Sequence, residues 1–209
     1  MALNTKSKMI AGAAELMSFK GVNSTSMRDV VKHTDTPRGS IAFHFPGGKL
    51  ELMQEAVQLA DAHISHPLRQ VLADRGTLLG LKSFIDTWRH RLKSSEFVVG
   101  CPILAAAVEP YVSERSDSPV EAASPGAQPL RAMASQAFSG WQDIIAQSLK
   151  RDGVPPVRAR KVAALVVASL EGAVALSRAA EDLRPLDDVS SELEWLLKTV
   201  LASSKSAST

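Results

Sequence analysis

Arg38, Gly39 and Ser40 combine a permanent cation, a residue with no side chain and a small hydroxyl. The guanidinium fork can donate a bidentate pair to guanine, and the hydroxyl can reach a base or a phosphate. Glycine lets one backbone approach another closely, at a cost in helix propensity. On a helix that starts at Pro37, these residues share the exposed side with Pro37, Ala42 and Phe43, while Ile41 and Phe45 face inward. The surrounding charge fits a polyanion partner. Residues 1–50 hold seven Lys/Arg against three Asp/Glu, and residues 51–209 hold 17 against 19, so a basic head sits on a slightly acidic body.

Other chemistry is less well supplied. His63, His66 and His90, with Asp61 or Asp86, could be imagined as a metal set. His63 and His66 share a helical face, but Pro67 interrupts that helix and no third ligand follows at a suitable spacing. Cys101 is the single cysteine, so no intramolecular disulfide or cysteine-rich zinc module is possible. Bordered by Gly100 and Pro102 with no activating base beside it, it reads as buried or pocket-lining rather than reactive. Neither a Gly-rich phosphate loop followed by Lys and Ser/Thr nor a Gly-x-Ser-x-Gly elbow occurs. Enzymatic activity, a cofactor and a metal are therefore not expected. The alternatives are a small-molecule- or metal-binding helical enzyme, and a protein adaptor that does not touch DNA. The adaptor leaves the basic head without a reason.

The elements that must position these residues are helical. With 45% hydrophobic residues but only 5% aromatics, Ala, Leu and Val carry the apolar content, which favours helices. Met9, Ile10, Ala13, Leu16 and Met17 follow helical spacing, with Thr5 the expected N-cap and Gly21 the terminator. Ser26 and Asp29 form a Ser-x-x-Asp start for a short second helix ending near His33. A third is expected from Pro37, capped by Thr36, to about His44, and Pro46, Gly47 and Gly48 stop it. A longer helix followed by two short ones across a tight connection is the outline of a helix-turn-helix. Further helices are expected at 49–71, with Pro67 as a kink or break, and at 78–93, 102–111, 129–151, 156–183 and 186–203. Residues 112–128 read as a mobile loop, and the tail from Ser203 as frayed. The expectation is an all-α chain of about nine helices: residues 1–48 a DNA-binding domain, and 49–205 a ligand-binding and dimerisation domain. No leader and no apolar run of bilayer-spanning length is evident, so no membrane contact and a cytoplasmic location are expected.

The stretches STSMRDVV at 24–31, PRGSIAFHFP at 37–46 and GKLEL at 48–52 resemble the TetR family of bacterial transcriptional repressors over roughly residues 5–55. The Phe45–Lys49 junction and Gly100–Pro102 are similar to a branch that includes flavonoid- and multidrug-responsive repressors. Carried over by position, the resemblance implies that Thr25 and Ser26 meet phosphate and that Arg28 lies beside the groove. Arg38 and Ser40 would read bases, Pro37 would touch a thymine methyl, and His44 and Lys49 would hold the backbone on the other flank. Ala42 and Phe43 stand where the family often has two tyrosines. Asp35 stands where a turn glycine is usual, and Asp tolerates a left-handed backbone better than most residues.

A helical body can pair with a copy of itself and enclose a small molecule. Residues 162–176 are apolar almost all round, so this helix needs cover on more than one side. Val166, Leu170 and Ala173 there, with Trp195, Leu196 and Val200 near the C-terminus, look like half of the four-helix dimer interface that the resemblance implies. A homodimer would let two heads read a palindromic operator in double-stranded DNA. Candidates for an apolar effector pocket are Phe84, Trp88, Cys101, Leu104, Val108, Met133, Phe138, Trp141 and Ile145. Glu109, Gln136, Ser169 and Glu171 are candidates for its few polar groups. An effector that disfavours the DNA-binding spacing would release the operator by linkage.

Overall fold

The first two helices start behind short polar side chains that satisfy the orphan amides of a first turn. The computed structural model describes residues 4–112 and 128–206, and the expected loop, apart from Val112 and Gln128, lies outside them. Helix α1 (Thr5–Lys20) begins behind Asn4, whose Oδ1 accepts from the Ser7 amide at 2.8 Å. The expected cap, Thr5, is already inside the helix. Helix α2 (Met27–Thr34) starts with a complete capping box. The Ser26 hydroxyl accepts from the Asp29 amide, and the Asp29 carboxylate accepts from the Ser26 amide. It ends at Asp35 in the left-handed region, φ 49°, where a short polar side chain replaces the usual glycine. Helix α3 (Ser40–His44) is shorter than expected. Pro37–Gly39 form a turn closed by a bond from the Ser40 amide to the Pro37 carbonyl, and the Thr36 hydroxyl pairs with Thr34 instead of capping.

Helix α4 (Gly48–Ser94) passes through Pro67 and breaks instead at Gly76, whose φ of 72° and ψ of 175° only glycine adopts readily. Its arms, 48–75 and 77–94, replace the expected pair. Helices α5 (Pro102–Val108), α6 (Pro129–Arg151), α7 (Pro156–Ala180) and α8 (Arg184–Ser206) complete the set. All regular structure among the described residues is helical.

The chain divides into two compact units. The first contains the described parts of residues 1–63 and 101–137. In it α1 packs against α2, α3 and α5, and Met9, Ala13, Met17, Val30, Phe45, Leu52, Met53 and Ile103 are buried. A five-residue helix has no stability of its own, so α3 depends on tertiary anchors. Phe45 at its end is 1% exposed, and burying such a ring contributes about 1.5–3 kcal/mol.

The second unit contains 64–100 and the described residues from 138 onward. Helix α7 packs along α8. The buried Thr77 hydroxyl donates to the buried Ser148 hydroxyl at 2.7 Å, tying the second arm of α4 to α6. Helix α7 has the length and composition to cross a membrane, yet Val162, Val166, Leu170 and Ala173 are buried within the chain, as in a core helix. The units do not follow the expected division at residue 48. The start of α4 and the segment after Gly100 belong with the head, because both bind the α1–α2 turn.

Candidate nucleic-acid interface and ligand cavity

The head presents a small set of free groups on a fixed frame. Arg28 and Arg38 are exposed and make no ion pair among the described residues. Phe43 on α3 is 81% exposed, an unusual position for a large ring, and meets only the His44 ring, in a T-shaped contact at 5.3 Å between centroids among the described residues. Pro37, Gly39 and Ala42 are exposed beside it, and Ser40 and His44 are half-buried. The Ser40 hydroxyl donates to the Pro37 carbonyl at 2.6 Å, which leaves its oxygen to accept. The frame is the capping box of α2, tied to the end of α1 by Lys20, whose ammonium lies 2.8 Å from Asp29. That contact, followed by the amide and hydroxyl of Ser26, holds the Asp29 carboxyl well below the usual carboxylate range.

Three residues expected at phosphate are otherwise engaged. Thr25 is fully buried and donates to the Gly21 carbonyl at 2.7 Å, bracing the turn from inside. The Ser26 hydroxyl is used within the capping box, donating to Asp29 at 2.8 Å. Lys49 is buried, with Nζ donating to the Asn23 carbonyl at 3.0 Å and lying 5.9 Å from the centre of the Tyr111 ring. Its ammonium faces the turn and not solvent. These are corrections to the phosphate roles of Thr25 and Lys49; neither nonlocal partner of Lys49 could be seen from its place at a helix start.

In the second unit, Phe84 and Trp88 from α4 meet Trp141 and Ile145 from α6 around a narrow cavity of about 20 Å³. Leu68, Leu81, Val167, Leu170 and Val174 extend the apolar wall, and Glu171 is the one ionisable side chain in the lining. Phe138 sits edge-on to Trp141 at 5.2 Å without lining the cavity, and Ser169 is half-buried outside it. Cys101, Leu104, Val108 and Met133 belong to the first unit. There Cys101 caps α5 through its sulfur, 3.5 Å from the Leu104 amide, and Val108 is 66% exposed. Glu109 is also in that unit, bound to the α1–α2 turn, because α5 packs on α1.

Comparison with known proteins decides what kind of molecule this is. The family model for the N-terminal domain of bacterial regulatory proteins of the tetR family matches residues 9–56. The model described as the transcriptional regulator LmrA/YxaF-like C-terminal domain matches residues 78–192. The chain is similar to an uncharacterized HTH-type transcriptional regulator, Rv0196, of Mycobacterium tuberculosis (strain ATCC 25618 / H37Rv), with 38% identity covering 92% of this chain and 93% of that protein. The chain belongs to the TetR family of transcriptional regulators. The HTH-type transcriptional regulator LmrA of Bacillus subtilis (strain 168) is 28% identical, covering 93% of this chain and 97% of LmrA. The crystal structure of a TetR transcriptional regulator from Legionella pneumophila has the same fold, with a TM-score of 0.78 at 19% identity over 93% of this chain and 98% of that one. These relatives are transcriptional regulators by name, and the head described above is the helix-turn-helix of a TetR-family regulator.

For this TetR-family chain the apolar residues expected at a dimer interface divide into two sets. Val166, Leu170, Ala173 and Val200 are buried within the chain, and this corrects their assignment to the interface. Trp195 is 66% exposed and Leu196 half-buried. Leu165 and Leu176 on α7 are also exposed, and these the sequence reading missed. An all-round apolar helix does not tell which side meets its own chain. Spacing held the only available signal: Leu165, Gly172 and Leu176 fall on the side opposite the buried one. Among the described residues no group of three His, Cys, Asp or Glu side chains is placed to hold a metal ion.

Proposed function

We propose that this regulator represses transcription as a cytoplasmic homodimer bound to a palindromic operator, and that a small apolar or aromatic effector in the second unit releases it. In functional terms residues 1–48 read DNA and 49–205 bind the effector and the second copy. The observation that carries the reading is that Arg38, with no ion pair among the described residues, and Phe43 are both solvent-exposed on one short segment anchored by the buried Phe45. Arg38 suits a guanine edge and Phe43 and Pro37 suit thymine methyls. Arg28, His44 and the free amides in the first turn of α2 suit phosphates on either side. The exposed apolar side of α7 and α8 (Leu165, Leu176 and Trp195) supports pairing with a second copy, which would give two heads for half-sites one helical turn apart. The aromatic lining of the cavity supports an effector with rings, and Glu171 favours one carrying a hydrogen-bond donor or a positive charge.

Selection of bound duplexes from a random pool, then titration of the recovered duplex, tests this. Arg38→Ala is expected to weaken specific binding by about 1–3 kcal/mol per half-site while leaving dimerisation unchanged. Undiminished specific affinity in Arg38→Ala would end the assignment of this head as the reader. Molecules that release the duplex from the unaltered protein then identify the effector class.

A further inference from the structure

The α1–α2 turn is gripped from outside by residues that follow α5. The Glu109 carboxylate accepts from the Val22 amide at 2.9 Å and from the Asn23 amide at 3.1 Å. Asn23 answers on both sides, its Nδ2 donating to the Pro110 carbonyl at 2.9 Å and its Oδ1 accepting from the Val112 amide at 3.1 Å. From below, Lys49 donates to the Asn23 carbonyl at 3.0 Å. Thr25 closes the same turn on Gly21, and Ser26, the next residue, is the N-cap of α2.

We infer that Glu109 is a positioning residue for DNA binding: it sets the pose of the first turn of α2 by holding the Val22 and Asn23 amides. The turn leads through Thr25 straight into the α2 N-terminus, so tilting the turn re-aims the amides and Arg28 that face phosphate. A displacement of about an ångström is enough to spoil a hydrogen bond whose useful range spans only about 0.5 Å. The inference rests on the DNA-reading role of the head and adds a control point that lies outside the helix-turn-helix in sequence.

The sign of the effect separates this role from a simple charge effect. Glu109 is an anion in the DNA-binding unit, so its removal alone should tighten binding to a polyanion. Loss of the grip should weaken it. The experiment measures affinity for a duplex recovered by selection on the unaltered protein, with amide hydrogen exchange read at Val22 and Asn23. Glu109→Ala is expected to weaken specific binding about tenfold, the worth of one hydrogen bond to a charged acceptor. The slope of affinity against salt should become shallower by at most about one, because the re-aimed Arg28 no longer neutralises its phosphate. Exchange at Val22 and Asn23 should accelerate while α1 stays protected, which distinguishes a released turn from an unfolded head. Glu109→Gln keeps an acceptor oxygen in place and is expected to retain affinity within about threefold. Asn23→Ala, which cuts the same grip from the other side, should weaken binding as Glu109→Ala does. If Glu109→Ala and Glu109→Gln both bind as well as or better than the unaltered chain, Glu109 is only a charge and the inference is overturned. Failure of the DNA reading itself would show in the unaltered protein, and failure of the grip in the variants alone.

Discussion

Gly21→Ala should be among the most damaging single-methyl additions in this chain, and its cost can be built from two separable parts. Gly21 has φ 85° and ψ 178°, a region essentially closed to residues with a side chain, and forcing alanine there costs roughly 1–3 kcal/mol. The second part is a collision. A Cβ on Gly21 would stand 2.0 Å from Glu109 Oε1. The carboxylate is the end of a flexible side chain and can swing away, but doing so abandons the Val22 and Asn23 amides. Water can replace the bond at the exposed Asn23 amide. The part-buried Val22 amide loses more, so about 2–3 kcal/mol is a reasonable charge for the pair. The sum is about 3–6 kcal/mol, against a usual total stability of about 5–15 kcal/mol. Urea unfolding at one fixed protomer concentration measures it, since stability of a dimer varies with concentration. The same glycine substitution made on Glu109→Ala should cost only the backbone part, because the collision partner is gone. Equal costs in the two backgrounds, within about 0.5 kcal/mol, would refute the collision and with it the account of why glycine stands there.

Four further outcomes follow from the packing. Asp29→Asn should destabilise the head by about 1 kcal/mol through the weakened capping box. Because the Asp29 carboxyl is held below its usual range when folded, its contribution is complete above the unfolded value near 3.8 and is lost as the pH falls toward the folded value. Melting followed from about pH 5 down to about pH 2 should therefore show a shallower acid limb in Asp29→Asn than in the unaltered chain. Trp195→Glu, at a position 66% exposed, should shift sedimentation from dimer toward monomer with little change in protomer stability. Val166→Ala, at a fully buried position, should lower stability by roughly 1–3 kcal/mol without changing association, and the reverse pattern would restore Val166 to the interface. Thr77→Ala leaves the buried Ser148 hydroxyl without its donor and should cost about 1–3 kcal/mol in denaturant unfolding, more than Thr77→Ala adds to Ser148→Ala.

What could be read in the sequence was what local chemistry decides. The start of α2 needed only Ser26 and Asp29, three residues apart, and the turn at Asp35 needed only a residue tolerant of positive φ. The reading helix was placed correctly but begun too early: Pro37 fits a first helical turn equally well as the opening of the tight turn it actually makes. A kink or break is expected at Pro67, and the structure has it at Gly76. Local rules count the missing proline amide but cannot see that the backbone is required to reverse only at Gly76. The larger errors share one cause. The resemblance places Lys49 at the DNA backbone and Glu109 is a candidate polar group of the cavity, yet both are spent on one turn whose carbonyl and amides lie 26 and more than 80 residues away in sequence. Four aromatic or aliphatic cavity residues, Phe84, Trp88, Trp141 and Ile145, were legible because large side chains at helical spacing must converge somewhere. Cys101, Leu104, Val108 and Met133 were equally apolar, and nothing local distinguishes a helix that packs on the head from one that walls a cavity.

The three tryptophans of this chain occupy two kinds of surroundings. Trp88 and Trp141, 4% and 3% exposed, flank the cavity, while Trp195 stands in water. Their emission should separate by colour: a blue component from the shielded pair and a red one from the wet indole. A molecule entering between the first two would dim the blue component, and pairing of two chains over the third would move the red one toward shorter wavelengths. The unlabelled protein thus carries its own optical channels for occupancy and for assembly.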